Sequence, residues 1–130
     1  MEFNHFLTSY MPNVNIGSKV HFENMLKESV LAEKLGYATV SIPEHHLINL
    51  LMMPSPLQMA VKIASITKKI NITTGIVVLP IHDMRTYAGE VTTADILTDG
   101  RLILGVGRGA FPWEMAVSYT HLTLPTTVSV

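Results

Sequence analysis

The stretch "INITTGIVVLP" (residues 70–80) is a nearly continuous run of β-branched and apolar residues that ends at a proline. Such a run is typical of a parallel β-strand that is buried on both faces. The stretch "RLILGVG" (residues 101–107) has the same character, and "YATVSI" (residues 37–42) is a shorter β-branched run. The aromatic-rich stretch "EFNHFLT" (residues 2–8) precedes them. We therefore expect four strands, of which the last two are buried on both faces.

Helical patterns lie between these strands. From residue 20 to residue 36, apolar and small side chains recur at helical spacing on one face: Phe22, Met25, Leu26, Ser29 and Ala32. Ser18 is expected to be the N-cap of this helix. A second helix is predicted over residues 57–67, and a third from Asp83, as its N-cap, to about Leu97. The order of elements is therefore β-α-β-α-β-α-β.

This alternation implies a parallel sheet with right-handed crossovers in one α/β domain. Two architectures fit the pattern, namely a doubly wound open sheet and the first half of a TIM (β/α)8 barrel. Residues 116–130 differ from the rest, because they contain no Lys, Arg, Asp or Glu and alternate Thr or Ser with apolar residues. We expect the fold to occupy residues 1–115 and residues 116–130 to be an atypical tail.

The composition is that of a core-rich chain, since 48% of its 130 residues are hydrophobic and 15% are charged. The net charge of −1, with scattered basic residues, gives no indication of binding to nucleic acid or to an anionic membrane. Cysteine is absent, which excludes disulfides, thiolate metal sites and cysteine nucleophiles. The start lacks a signal-peptide pattern, and no apolar run is long enough to span a bilayer. These features predict a soluble, cytoplasmic protein.

Polar or glycine-rich segments follow three of the predicted strands. They are the cluster Glu44, His45 and His46, the segment "LPIHD" (residues 79–83) and the segment "GVGRGAF" (residues 105–111). The carboxyl ends of parallel strands form the functional edge of α/β folds, because the loops there converge over a rigid floor. The sequence therefore predicts a site at this edge.

The cluster after the second strand is either a polar lip or an acid–base group. Adjacent residues of an extended chain point to opposite faces, so His45 and His46 cannot readily chelate one ion. No metal site is therefore expected. A histidine beside a carboxylate can titrate near neutral pH and act as a base, which favours a functional interpretation of Glu44, His45 and His46.

Other residues at these positions have simpler interpretations. His5 is expected to be a hydrogen-bonded core residue and His21 to be solvated on a helix flank, while His82 either bonds its own loop or takes part in the site. The segment "GVGRGAF" is either a glycine turn or a close approach of backbone to a bulky ligand or phosphate, with Arg108 as cationic donor. Its Gly-x-Gly-x-Gly spacing, with Ala110 in place of the last glycine, argues against a Rossmann dinucleotide site.

From Met1 to about Met115 the chain resembles the N-terminal part of the bacterial luciferase-like flavin-dependent monooxygenases. The matching segments, in the family's order and spacing, are "NHFLTSYMP", "AEKLGYATVSIPEHH", "TKKINITTGIVVLPIHDMR", "EVTTADILTDGRLILGVGRG" and "FPWEM". The resemblance implies four βα-type units, the first half of a TIM barrel, since a closed barrel has eight strands and about 250 residues. It also implies an enzyme that uses reduced FMN and O2 to oxidise an aldehyde or similar organic substrate.

The resemblance carries further expectations about partners and activity. A separate NAD(P)H-dependent reductase would supply the reduced flavin, and a dimer is possible. This chain would be a fragment that is inactive alone. Two alternatives on the same barrel are a non-catalytic flavin-binding or dimer-supporting subunit and a deazaflavin-dependent oxidoreductase. His45 falls on the family's catalytic histidine, a base near the flavin, and Glu44 and His46 are its immediate neighbours.

The remaining residue assignments implied by the resemblance concern the cofactor. Arg108 falls on an arginine that contacts the flavin phosphate, and Gly107 and Gly109 line the approach of the flavin. Gly75 and Ile76 fall where the family often places a non-proline cis peptide against the isoalloxazine ring.

Overall fold

A computed structural model describes residues 1–116 of the chain. The strands are β1 (Asn4–Phe6), β2 (Thr39–Ile42), β3 (Asn71–Thr74), β4 (Val77–Val78), β5 (Leu102–Ile103) and β6 (Val106–Gly107). The helices are α1 (Ser18–Lys34), α2 (Pro56–Ile66) and α3 (Met84–Leu97), and residues 112–116 are also helical. Short 3-10 turns cover Val14–Ile16 and Leu79–Ile81. The predicted tail, residues 116–130, lies outside the described residues except for Ala116.

The strands form a parallel sheet whose spatial order follows the chain. The main sheet has the order β1-β2-β3-β5, and β4 pairs with β6 beside it, with every pairing parallel. Consecutive order, with α1 contacting α2 and α2 contacting α3, is the arrangement of successive βα units in a barrel. A doubly wound sheet would instead reverse its strand order at a switch point.

The third and fourth predicted strands are each broken into two short strands, which corrects the prediction of single strands over residues 70–80 and 101–107. The ladder is interrupted where the Thr74 hydroxyl donates to the Gly105 carbonyl (2.8 Å) and accepts from the Gly105 amide (2.9 Å). At this point the Thr74 hydroxyl, and not a backbone group, bonds the carbonyl and the amide of Gly105. The peptide bond between Gly75 and Ile76 follows directly and is cis.

The prediction that residues 101–107 are buried on both faces is also wrong. Ile103, Leu104 and Val106 are 41–47% exposed. In the described part of the chain no further strand pairs with the outer edge of β5, so that edge and its apolar side chains remain uncovered. Phe6 and Ile76 are exposed on the same sheet.

The helices confirm most of the predicted pattern, with two corrections on α1. The N-cap of α1 is Gly17, and Ser18 is the first helical residue. His21 is buried, because it lies four residues before Met25 on the face that packs against the sheet. Asp83 caps α3 as expected and accepts a hydrogen bond from the Arg85 amide. No helix within residues 1–116 has the length and apolar character needed to cross a membrane.

The main core lies between the sheet and the helices α1 and α2. Its fully buried side chains include Met25 of α1, Ile63 of α2 and Met53 of the loop before α2. Val40, Ile42 and Ile72 supply the strand side. This packing holds the strands in place and so fixes the positions of the loops at their carboxyl ends.

A substitution at Gly105 tests the close contact between β3 and the fourth predicted strand. A Cβ at position 105 would overlap the carbonyl oxygen of Thr74, a backbone atom that cannot move aside without disturbing the sheet. Gly105→Ala should therefore lower the free energy of unfolding by about 2 kcal/mol. Gly89→Ala on α3, where the new Cβ meets nothing within 4 Å, should raise it slightly, because alanine favours helices. Urea unfolding measures both, and equal values would contradict the contact.

Candidate functional site

The predicted site residues meet in a cleft of about 290 Å³ at the carboxyl ends of β2, β4 and β6. The residues that line it are Phe6, Pro43, Glu44, His45, Gly75, Ile76, Val78, Arg108, Gly109, Ala110, Phe111 and Glu114. Of the predicted site residues, His46 and Gly107 do not line the cleft, although each adjoins a residue that does. A larger groove of about 990 Å³ lies between α2 and α3, away from the strand ends.

The walls of the cleft are largely apolar and aromatic. The ring of His45 lies 5.6 Å from that of Phe111, and Phe111 stacks on Trp113 with ring centroids 4.7 Å apart. Ile76 and Phe6 are partly exposed on the opposite side. A planar hydrophobic group would therefore meet aromatic and aliphatic surfaces in this cleft.

Glu44 is the buried anchor of the site, and its side chain is completely inaccessible to solvent. One carboxylate oxygen, Oε1, accepts hydrogen bonds from His46 Nε2 (2.8 Å) and His82 Nε2 (2.7 Å). The other, Oε2, accepts from the backbone amide of Val78 (2.6 Å). Burial raises the pKa of Glu44, but the hydrogen bonds from His46, Val78 and His82 outweigh it and hold the pKa below its usual 4.5. The carboxylate is therefore ionised at neutral pH.

His46 is half-buried and is held at both its side chain and its backbone. Its ring donates to Glu44, and its amide donates to Oε1 of Glu114 at 2.5 Å. The hydrogen bond from Glu44 raises the pKa of His46 above its usual 6.5, against the opposing effect of burial, and the charge of Glu114 adds to the increase. His46 therefore retains its proton to a higher pH than an isolated histidine does.

His45 points away from this cluster. Its amide donates to the carbonyl of Met53 (2.9 Å), and its ring lies beside Phe111. The Nδ1 atom of His45 is buried, and no hydrogen-bond partner for it is found among residues 1–116. Sequence adjacency suggests that Glu44 assists His45 directly, but the carboxylate binds His46 and His82 instead.

His82 belongs to this hydrogen-bonded cluster, although the sequence analysis did not name it among the expected site residues. Its amide donates to the carbonyl of Leu79 in its own loop (3.1 Å), as expected, and its ring also reaches Glu44, a residue 38 positions earlier in the chain. The ring also stacks on Tyr87 of α3, with centroids 4.0 Å apart. Its place in "LPIHD", directly after a predicted strand, was the available signal, because the carboxyl ends of neighbouring strands converge.

Arg108 and the glycines beside it lie at the rim of the cleft, where β6 ends. Arg108 is exposed, and its guanidinium makes no hydrogen bond or ion pair with other residues of the described part. Gly109 has φ +81, in the left-handed region, and its backbone packs against Val78. Gly107 packs in the same way against Ile76. The glycines thus allow the segments after β3 and β5 to approach each other closely.

Glu44, His46 and His82 are also a set of residues that could hold a metal ion, since their ligand atoms lie within 4.8 Å of one another. The pairing of two histidines with one carboxylate is a known ligand set for divalent metals. The distances of 2.7 and 2.8 Å are hydrogen-bond lengths, which protons on the two rings account for. The sequence-based expectation that the site binds no metal is not tested by this geometry and stays a prediction.

Comparison with known proteins places the chain in a family. A family model described as luciferase-like monooxygenase matches residues 1–121. The oxygenase component of the flavin-dependent trigonelline monooxygenase of Acinetobacter baylyi is 32% identical over 93 residues, which are 72% of this chain and 26% of that protein. The alkanal monooxygenase alpha chain of Photorhabdus laumondii is 28% identical over 122 residues, 94% of this chain and 34% of that one.

A solved structure with the same fold is the oxygenating constituent of the 3,6-diketocamphane monooxygenase of Pseudomonas putida, in complex with FMN. Its TM-score is 0.82 at 26% identity, over 93% of this chain and 32% of that one. The chain spans about a third or less of the length of the curated relatives it matches. Within residues 1–116, the four parallel strand positions and the helices α1, α2 and α3 correspond to the first half of a TIM barrel. The chain therefore belongs to the family of luciferase-like monooxygenases.

Proposed function

We propose that this chain is part of a flavin-dependent monooxygenase that uses reduced FMN and O2 to oxidise an aldehyde or a similar small organic substrate. The observation that carries the proposal is the cleft at the strand ends, in which His45, Ile76 and Arg108 lie together. The FMN bound to the Pseudomonas putida protein, whose fold this chain shares, supports the choice of cofactor.

The residues of the cleft fit the chemistry of FMN. The cofactor joins a flat, largely apolar ring system to an anionic phosphate. The cleft joins aromatic and aliphatic walls to the Arg108 guanidinium at its rim, which has no partner among residues 1–116. Its volume of about 290 Å³ is at the lower limit of ligand pockets, which span roughly 300–1,000 Å³. The cleft would therefore hold only part of the cofactor, and the remaining contacts would come from other strands of the barrel.

The residues expected to bind the cofactor each have a role in this proposal. Arg108 would bind the phosphate, and the backbone at Gly107 and Gly109 would border the approach of the cofactor. Gly75 and Ile76 would support one face of the flavin ring.

Bound reduced FMN supplies the electrons that activate O2 for substrate oxidation. His45 acts as the base: its half-buried ring lines the cleft beside Phe111, and its buried Nδ1 has no hydrogen-bond partner within residues 1–116. The ring of Phe111 lies beside that of His45 and stacks in turn on Trp113.

A separate NAD(P)H-dependent reductase would supply the reduced flavin. The related Acinetobacter baylyi protein is named as an oxygenase component, which supports a two-component system. The substrate would be a small organic molecule that enters beside His45. We also propose that the complete enzyme forms a dimer.

Replacing Arg108 tests the cofactor assignment. In the full-length protein, Arg108→Ala should weaken FMN binding by roughly 10- to 100-fold, the loss expected for charge-assisted hydrogen bonds. Lys19→Ala removes the same charge from an exposed position on α1 and should leave the affinity unchanged. Flavin fluorescence titration measures both. An unchanged affinity in the Arg108 variant would refute the phosphate contact, and tighter binding of a deazaflavin than of FMN would favour the deazaflavin alternative.

A further inference from the structure

We propose that His82 is a positioning residue of the site and that Glu44 holds both His46 and His82 in the Nε2–H tautomer, so that the peptide carrying His45 is fixed. The functional part of this proposal rests on the role proposed above for His45. The structural part, the tautomers of two imidazoles on one carboxylate oxygen, stands on the geometry alone.

The tautomers of His46 and His82 follow from the hydrogen bonds that the Glu44 carboxylate accepts. An ionised carboxylate has only acceptor oxygens, so every group within hydrogen-bond distance must donate to it. Oε2 receives the Val78 amide, and Oε1 receives Nε2 of both His46 and His82. Each Nε2 therefore carries a hydrogen, and Nδ1 is the basic nitrogen of each neutral ring. Two rings that lie on different loops thus share one electrostatic anchor.

This anchor acts on His45 through the backbone. Glu44 and His46 flank His45, and in an extended segment their side chains point to the side opposite that of His45. The Glu44 side chain is bound to β4 and to His82, while the His46 amide is bound to Glu114. The peptide is thereby held on both sides of His45, and the His45 ring is left to face Phe111 and the cleft.

His82 does not line the cleft, so it acts through Glu44 and not by contact with a ligand. Its own position is fixed by the stack on Tyr87 and by the hydrogen bond from its amide to the Leu79 carbonyl (3.1 Å). The charged and titratable groups that face this cluster within the described residues are Glu44, His46, Glu114, Tyr87 and Glu90. With His82 held in this way, the loop after β4 is tied to the loop after β2.

The tautomers can be read directly by nuclear magnetic resonance of the protein labelled with 15N-histidine, without flavin. The rings of His46 and His82 should both show a protonated Nε2 and an unprotonated Nδ1 at a pH where they are neutral. His82→Phe identifies the His82 signals by their loss and retains the stack on Tyr87. An Nδ1–H tautomer for either ring in the unsubstituted protein would overturn the proposal, whatever the variants do.

Activity of the full-length protein tests the positioning role. His82→Phe should lower kcat roughly tenfold, since a displaced catalytic group loses about that much or more, with FMN affinity unchanged. His82→Gln keeps a side-chain N–H donor and should restore most of kcat. His5→Phe makes the same replacement at a half-buried histidine on β1, outside the cleft, and should leave kcat unchanged.

The outcomes separate this inference from the proposed function. An unchanged kcat in His82→Phe, or a failure of His82→Gln to restore it, would overturn the positioning role while leaving the flavin assignment intact. Correct tautomers in a protein that binds no flavin would instead overturn the proposed function alone.

Discussion

His45→Ala in the full-length protein should lower turnover by at least about 100-fold, the smaller end of the contribution of a general base. FMN binding should be largely spared, because the walls of the cleft and Arg108 are unchanged. Stopped-flow turnover with reduced FMN and a panel of aldehydes measures the first quantity, and flavin titration measures the second.

A matched control for this variant is His5→Ala. His5 is another half-buried histidine near a glutamate, with its Nε2 3.2 Å from Glu28, but it lies on β1 outside the cleft. Its replacement should leave turnover unchanged. Equal losses of turnover and flavin binding in His45→Ala, or no loss of either, would refute the role of His45. A full-length protein that binds FMN and oxidises no aldehyde would favour the non-catalytic subunit.

Glu44→Ala should lower the free energy of unfolding by roughly 3 to 4 kcal/mol, because it leaves the buried Val78 amide and two imidazoles without their acceptor. Glu28→Ala removes the carboxylate of the partly exposed pair with His5 and should cost less than about 1 kcal/mol. Urea unfolding at neutral pH compares the two. A Glu44 variant as stable as the Glu28 variant would contradict the buried anchor.

The Glu44 carboxylate and its partner His46 should make the free energy of unfolding fall at both acidic and basic pH. The pKa of Glu44 is lowered on folding, so its contribution is present above its unfolded value of 4.5 and is lost as the pH falls through the folded pKa. The pKa of His46 is raised, so its contribution is complete below 6.5 and is lost as the pH rises through the folded pKa. The cluster should therefore stabilise the fold most between pH 4.5 and 6.5.

A Glu44→Gln variant shows whether Glu44 causes this dependence. Glutamine has nearly the same shape but does not ionise, so unfolding free energy should vary less with pH on both sides of that window. A profile that keeps its original slopes in the variant would assign the dependence to other groups.

The order of elements could be predicted from the sequence because it depends on patterns within short windows. The apolar run at residues 70–80 and the helical stripe through Met25 report burial, and burial is what these patterns encode. The same patterns do not report which atom accepts which hydrogen bond. The exchange between Thr74 and Gly105 breaks two strands, and it joins residues 31 positions apart that no local pattern relates.

The sequence predicted which residues gather at the strand ends, but not their hydrogen bonds. The rule that strand ends converge brought His45 and Arg108 to one cleft. The partner of Glu44 was decided by side-chain direction, since alternation points His46 and not His45 toward the buried carboxylate, and by His82 from the next loop. His21 was misjudged for the opposite reason, because its polarity was weighted above its position on the stripe of α1.

The claim that the strand-end cleft is the flavin site is tested most directly by a crystal structure of the full-length protein with FMN. In that structure the phosphate should lie within hydrogen-bond distance of the Arg108 guanidinium, with the flavin ring against Gly75 and Ile76 and the His45 ring beside it. FMN bound elsewhere, with neither His45 nor Arg108 in contact with it, would refute the assignment of the cleft.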